Sequence, residues 1–475
     1  MPIQEVDAAA ATIEAIFQQQ QLYHHQVGLS SARERIAKLK RLEDAVLRYR
    51  QQIRDAMWRD FHKPPLEVDL SEIYPVTSEI KFTIRHLRRW MRPRRVATPL
   101  VLFGGRSYVL YQSKGVVLII SPWNYPVNLT LGPLASAIAA GNTAILKPSE
   151  NTPNTSAVMK QIIAETFDAR EVALVEGGVE TSQALLDLPF NHIFFTGAPE
   201  IGKIVMKAAA KHLASVTLEL GGKSPTIIDE TADLDKAAGR IAWAKFTNMG
   251  QTCVAPDYLF VHESRKEEFL DKLGQKLQEF YGTDARQTED YARVVNRRHF
   301  QRIKGYMEEA FEQGATAAIG GQTDEAQAYI APTVLTNVPM NSKMMAEEIF
   351  GPVLPVHTYH NLQEVIDLVN SKEKPLALYI YSNNRNNINF ILKNTRAGGT
   401  CINHSVVHYG NPHLPFGGDN NSGIGKSHGW YGFEAFSNAR AVYKQALPLP
   451  NAGDLLTAPF SRWKQKIVDL AIKWF

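Results

Sequence analysis

The chain has 475 residues, 44% of them hydrophobic and 21% charged. That length is too great for one ordinary core and predicts two or three domains, and the balance is that of a globular protein whose folding needs no partner. A net charge of +4, from 52 basic and 48 acidic residues, excludes a strong overall field for nucleic acid. Cys253 and Cys401 are the only cysteines, so a disulfide framework is not expected and a reducing, cytoplasmic setting is. Residues 1–6 lack a basic segment followed by an apolar one, so no secretory signal is read there. No uncharged apolar run approaches the roughly 20 residues that span a bilayer.

In chain order, residues 30–60 read as a helix, with Ile36, Leu39, Leu42, Ala45 and Val46 at helical spacing. The chain then turns basic, with Arg85, Arg88, Arg89, Arg92, Arg94 and Arg95 close together. This stretch reads as a phosphate- or membrane-binding patch or, in better keeping with near-neutral overall charge, as a solvated helix face followed by a loop. Residues 101–112 read as a hairpin about Gly104-Gly105. Val116–Ile120 is a continuous apolar run, as in a strand buried on both faces. A helix over 131–140 is stopped by Gly141-Asn142, and strands at 143–146, 172–175 and 192–195 continue an alternation that predicts a doubly wound parallel sheet.

A second series has strands near 226–228, 258–261 and 376–381, with helices around 233–246, 265–281, 297–313 and 361–370. Two α/β domains with a boundary near residue 220 follow from this. The tail, 447–475, opens with a Pro-rich linker and ends in a short, basic, amphipathic segment from Trp463 to its last residue, Phe475. That segment suits either a membrane surface or docking on its own protein or a second subunit.

Four segments bear chemistry. Residues 192–197 form a strand running into Gly197, and Gly202-Lys203 open a helix with Ile201, Ile204, Val205 and Ala208 on one face. A strand, a glycine turn and a helix start present free N–H groups and a positive dipole end to phosphate. The spacing is G-x-x-x-x-G-K, but Ile204 stands where a nucleotide-triphosphate loop needs Ser or Thr for magnesium, which excludes an ATPase loop. Cys253 follows a polar, glycine-containing turn, 246–252, that can expose its sulfur and stabilise a thiolate; taken alone it is equally a small core residue. Glu219 lies between apolar residues just before Gly221-Gly222, where burial makes a carboxyl a competent base near neutral pH; a strand-end ion pair is the plain alternative. Asn124, in Pro122-Trp123-Asn124-Tyr125-Pro126, offers an amide donor to an oxyanion or is simply a turn residue.

Together these segments are far more specific. The chain resembles the aldehyde dehydrogenase superfamily, and within it the class 3, fatty- and aromatic-aldehyde branch, from about residue 30 to 443. The resemblance rests on P-W-N-Y-P at 122–126, L-K-P-S-E at 146–150, F-T-G at 195–197 with Gly202, L-E-L-G-G-K at 218–223, G-Q-T-C-V-A-P-D-Y at 250–258, E-I-F-G-P at 348–352 and P-F-G-G at 415–418, in the family's order. It implies that Cys253 attacks the aldehyde, that the Asn124 amide and the Cys253 N–H hold the oxyanion, and that Glu219 activates the water that hydrolyses the thioester. It further implies that Lys147 and Glu150 face the adenosine ribose of NAD(P), that Gly197 and Gly202 form the pyrophosphate turn, and that Glu348 and Phe350 face the nicotinamide ribose and ring. Trp123 and Leu220 also fall at cofactor-binding positions.

Ala198 departs from relatives with a phosphate-binding side chain there, and Glu150 should favour NAD while branch members often accept NADP as well. The fold implied is two doubly wound α/β domains, a Rossmann-like cofactor domain (1–92 and 113–219) and a catalytic domain (220–400). A β-rich oligomerisation arm (93–112 and 401–447) would reach across a homodimer, and an amphipathic tail (448–475) follows. The expected substrate is a medium- to long-chain aliphatic or aromatic aldehyde, with no nucleic-acid partner and peripheral membrane contact only through the tail. No metal is required, and His404, His408 and His413 fit no family metal site. Two alternatives remain at this stage: an acylating relative that passes the thioester to coenzyme A, which typically lacks a base at the Glu219 position, and a non-catalytic, membrane-held relative, for which Cys253, Glu219 and Asn124 would be superfluous.

Overall fold

The computed structural model describes residues 3–448 and 451–474; the first two residues, part of the Pro-rich linker and Phe475 lie outside them. Two largely parallel sheets organise the chain. In the first, the strand order is Gly423–Ile424, Ser215–Leu220, His192–Gly197, Val116–Ile120, Thr143–Lys147 and Val172–Leu174. All its pairs are parallel except that of Gly423–Ile424. Val116–Ile120 is buried at every position, as its unbroken run of β-branched and aliphatic residues requires. From it the chain moves to Thr143–Lys147 on one side and later to His192–Gly197 on the other. Such a reversal opens a crevice at the carboxyl ends of the two strands, which is where Trp123, Asn124 and Gly197 emerge.

The second sheet runs Thr316–Ile319, Thr333–Thr336, Val353–Tyr359, Tyr258–His262, Pro225–Ile228, Ala377–Tyr381 and Gly399–Ile402, antiparallel only at Thr316–Ile319. The last parallel strand of the first sheet ends at Leu220 and the second sheet begins at Pro225. A third, antiparallel sheet joins Arg94–Val96, Gly105–Ser113 and Ser437–Gln445.

Several local expectations are corrected. Residues 101–112 are not a hairpin. Gly104, at φ +82°, leads from a short 3₁₀ turn, Leu100–Leu102, into the single strand Gly105–Ser113. That strand's main partner is Ser437–Gln445, in unbroken register from Ser113↔Ser437 to Gly105↔Gln445, a pairing no local pattern reveals. The helix expected over 30–60 is two, Ala32–Arg48 and Arg50–Phe61, broken at Tyr49; the first is closed by a Ser31/Glu34 capping box. Arg85, Arg88 and Arg89 lie on the exposed face of helix Tyr74–Trp90, and Arg94 and Arg95 on a short edge strand. In helix Pro199–Lys211 the buried face is Gly202, Val205, Ala208 and Ala209, while Ile201 and Ile204 are exposed. The amino-terminal helix Ile3–Gly28, which packs Phe17 on Phe190, and the strands from 316 to 359 were not read from sequence.

One buried ion pair locks the segment after helix Arg50–Phe61 to the crevice. Lys63 and Glu72, both fully buried, pair at 3.1 Å. The Lys63 ammonium lies 4.0 Å from the centre of the Tyr125 ring, and Glu72 accepts the Asn128 N–H at 2.8 Å in the first turn of helix Pro126–Ala140. Removing one partner leaves the other charge stranded in low dielectric at a cost of about 3–5 kcal/mol, whereas neutralising both is far milder. Lys63→Met should lower the calorimetric unfolding midpoint by roughly 5 °C or more, and adding Glu72→Gln should recover most of the loss. A single variant as stable as the parent would show that the pair contributes nothing.

Candidate active site

Asn124 follows the strand Val116–Ile120 and is buried. Its Nδ2 donates to the Gln251 carbonyl at 3.0 Å, which leaves the second Nδ2 hydrogen available. Asn248 closes the same knot, its Nδ2 donating to the Asn124 carbonyl at 3.0 Å and to the Gln251 carbonyl at 3.1 Å. The Gln251 side chain donates to the Asn248 and Arg293 carbonyls and accepts the Val295 N–H, at 3.0–3.1 Å. Within this knot Asn248, Met249 and Gly250 all take left-handed backbone, with φ of 53°, 55° and 71°. At Gly250 a side chain is also impossible, because a Cβ would sit 2.4 Å from the Gly351 carbonyl oxygen. Three consecutive left-handed residues persist only where surroundings over-determine them, and here three amide side chains do so. Tyr125 adds a 2.6 Å hydrogen bond between its hydroxyl and that of Thr252. The next residue is Cys253.

Cys253 is half-buried. Burial, then Glu348, then Glu219 push its thiol up to about 12, opposed by the N–H groups of Cys253 and Val254. The two carboxyls are themselves pushed up to about 8, chiefly by burial. Glu219 sits in strand Ser215–Leu220 with one oxygen accepting from the Ser427 hydroxyl at 2.8 Å; the other oxygen is buried and has no hydrogen-bond partner among the described residues. Ser427 and the nearby Lys426 ammonium favour the ionised form without overcoming desolvation.

Cys253 and Glu219 share the wall of one cavity of about 490 Å³. Apolar side chains dominate the rest of that wall, among them Leu66, Leu70, Leu129, Trp243, Val407 and Phe416. Glu67 is an exception: it lines the cavity with burial pushing its carboxyl up to about 7.

The remaining candidates lie at the strand ends of the crevice and on the loop around 348–350. Lys147 ends strand Thr143–Lys147, buried, and its ammonium meets the half-exposed Glu150 at 3.1 Å. Gly197 ends its strand, and helix Pro199–Lys211 begins with Ala198 as an N-cap that makes no side-chain bond. Gly202 packs so closely on Leu220 that a Cβ would lie 2.7 Å from Leu220 Cδ2. Glu348 lies against Gly221, where a Cβ would be 2.1 Å from Glu348 Oε2. Phe350 (φ +47°) meets Trp123 edge to face at 5.4 Å, and Trp123 in turn contacts His299 at 4.9 Å. Arg302 holds the Glu348 and Ile349 carbonyls at 3.1 and 2.8 Å. The Lys223–Asp257 ion pair binds the same loop through the Met344 and Glu347 carbonyls and the Ile349 N–H. Among the described residues no group of His, Cys, Asp or Glu is placed to hold a metal ion.

Sequence reasoning missed Ser427, Lys426, Asn248, Gln251, Tyr125 and Arg302 as parts of this site. Asn248 and Gln251 stand inside the quoted turn before Cys253, and only their polarity hinted at a role. Ser427 and Arg302 carry no local signal at all.

Comparison with known proteins agrees with this arrangement. A model of the aldehyde dehydrogenase family matches residues 2–442. The chain is 45% identical over 436 residues to the putative aldehyde dehydrogenase AldX of Bacillus subtilis (strain 168), covering 91% of this chain and 98% of that protein. It is 43% identical over 430 residues to aldehyde dehydrogenase family 3 member A2 of Rattus norvegicus, with 90% and 88% covered. Among solved structures, the substrate-bound state of Staphylococcus aureus AldH matches with a TM-score of 0.92 at 41% identity, covering 97% and 99% of the two chains. The NAD+ complex of Bacillus cereus aldehyde dehydrogenase matches with a TM-score of 0.84 at 27% identity, covering 92% and 89%. The α/β fold expected from the sequence is therefore the fold of aldehyde dehydrogenases. The chain belongs to the aldehyde dehydrogenase family and is an NAD(P)-dependent oxidoreductase acting on aldehydes.

Proposed function

We propose that Cys253, Glu219 and Asn124 oxidise an aldehyde to a carboxylic acid through a thioester on Cys253. The observation that supports this most is that Cys253 and Glu219 line one cavity, one Glu219 oxygen being buried without a hydrogen-bond partner among the described residues, while the Asn124 amide is tied to the Gln251 carbonyl two residues before the thiol. In that environment the free thiol is protonated at neutral pH, so its proton must leave as the sulfur–carbon bond forms. That proton passes to solvent. The carbonyl oxygen becomes an oxyanion held by the spare Asn124 hydrogen and the Cys253 N–H. The bound nicotinamide supplies the acceptor for the hydride that leaves the aldehyde carbon. Glu219 then removes a proton from water as its oxygen attacks the thioester; the carbon–sulfur bond breaks, the acid leaves, and the proton returns from Glu219 to the departing sulfur, which restores thiol and carboxylate.

The cofactor seat is proposed from residues that fit it. The buried Lys147 ammonium and Glu150 stand at the end of one strand for a ribose, with Gly197, Gly202 and the uncapped N–H groups of helix Pro199–Lys211 for pyrophosphate. The exposed apolar Ile201 and Ile204 offer a surface for an adenine ring. Leu220, Glu348, Phe350 and Trp123 border the nicotinamide end. Glu150 repels a 2′-phosphate and favours NAD. The apolar cavity supports medium- to long-chain aliphatic or aromatic aldehydes.

On the same footing, residues 1–92 and 113–219 bind the cofactor, 220–400 supply the nucleophile, and the three-stranded sheet, whose outer strand Arg94–Val96 is wholly exposed, joins two chains in a cytoplasmic homodimer whose tail touches a lipid surface. No helix among the described residues is long and apolar enough to cross a membrane.

Cys253→Ala should cut turnover by about 10⁴-fold or more while NAD binding, followed by quenching of protein fluorescence, is unchanged; residual wild-type turnover would sink the thioester. Glu219→Gln should give a stoichiometric burst of NADH and then stall, and acid should form in the wild type without coenzyme A. Because Glu219 works as carboxylate and burial holds it up to about 8, the hydrolysis rate should rise with pH through that value. Ser427→Ala removes a bond that favours the carboxylate, so the rise should move to higher pH, and an unmoved profile would remove Glu219 as the base. Glu150→Gln should raise the NADP/NAD ratio of kcat/KM about tenfold, a loss of roughly 1.4 kcal/mol of discrimination; an unchanged ratio would place the 2′-hydroxyl elsewhere.

A further inference from the structure

The last helix, Arg462–Trp474, has no buried residue. Four of its side chains fall at i, i+4, i+7 and i+11, one narrow face of a helix: Trp463, Ile467, Leu470 and Trp474, exposed by 52, 45, 61 and 70%. Lys464, Val468 and Ala471, on one flank, are partly covered, and the Lys464 ammonium is turned back onto the Thr457 and Pro459 carbonyls. On the other flank Arg462, Lys466 and Lys473 line up beside the apolar face and are exposed. Counted from the sequence, the helix holds four cations and one carboxylate, Asp469, which is three of the whole chain's net four positive charges. A body close to neutral therefore carries its excess charge at one end, next to an unpartnered apolar stripe.

A stripe of four side chains is far short of the roughly 800 Å² per partner that a stable protein interface buries, and two such helices facing each other would set like charges together. An interfacial lipid layer has neither objection. Tryptophan rings at both ends suit the headgroup boundary, aliphatic side chains between them suit the acyl region, and a basic flank suits phosphate. Resting on the tail–lipid contact read above, we propose that this helix lies in the plane of an anionic lipid surface, with Trp463, Ile467, Leu470 and Trp474 inserted and Arg462, Lys466 and Lys473 against the headgroups. Anionic charge, not apolar insertion alone, sets the affinity, because one short apolar stripe gives only marginal binding.

The full chain should co-sediment with vesicles of phosphatidylglycerol and phosphatidylcholine about tenfold or more better than with phosphatidylcholine alone, and high salt should erase the difference. Lys466→Glu with Lys473→Glu should abolish that preference, and Trp463→Ala with Trp474→Ala should abolish binding to both, with oxidation of a short, soluble aldehyde unchanged in each. Equal wild-type binding to the two vesicle types would overturn the anionic requirement but keep the lipid contact. No binding to either would overturn both. A change of oligomeric mass in the tryptophan variant, with vesicle binding intact, would assign the stripe to a second copy of the chain.

Discussion

Everything at the proposed site depends on a knot of amides. The loop before Cys253 passes through three left-handed residues, a path that costs energy at every step, and it is held there by Asn124, Asn248 and Gln251 sharing carbonyls across the two main sheets. The first of these amides is also the proposed oxyanion donor. The element that positions the sulfur and the element that would stabilise the negative oxygen are thus bonded to one another, so their separation is set by hydrogen-bond length and not by the relative placement of two domains.

Electrostatics around the thiol run against ionisation in the free protein. Burial raises the Glu219 and Glu348 carboxyls, and burial together with those two carboxyls raises the Cys253 thiol. A site in this condition stores protons near neutral pH. It suits chemistry in which the sulfur gives up its proton only as a bond to it forms. The apolar cavity enforces the condition, since water admitted to solvate the carboxylates would lower all three values together.

Much of this was legible in sequence, for physical reasons that differ by element. Val116–Ile120 and helices near 234–246 and 266–281 announce themselves because burial on both faces, or on one stripe, writes a period into the chain. The site residues were found only as short motifs in a fixed order; no single motif outweighed its plain structural reading. What sequence hid was non-local. Residues 101–112 look like a hairpin because glycines flanked by apolar residues usually are one, yet their partner strand lies more than three hundred positions away. Helical spacing put Ile201 and Ile204 on one face with Val205 and Ala208, but the small Gly202 and Ala208 pack inward and leave those two isoleucines exposed.

The pairing of Gly105–Ser113 with Ser437–Gln445 also dictates an order of assembly. A chain emerging from its amino end exposes the first strand as an open edge until nearly the whole protein has been made, and closing so long a loop is slow. The residues just before the closing strand include Ser427, which holds Glu219, and the short strand that covers the edge beside it. Sheet completion and the Ser427 bond to that carboxylate both wait on the last part of the chain. A chain cut before residue 427 would keep the loop before Cys253 while lacking the hydroxyl that donates to Glu219, so the two halves of this region are completed at different stages of synthesis.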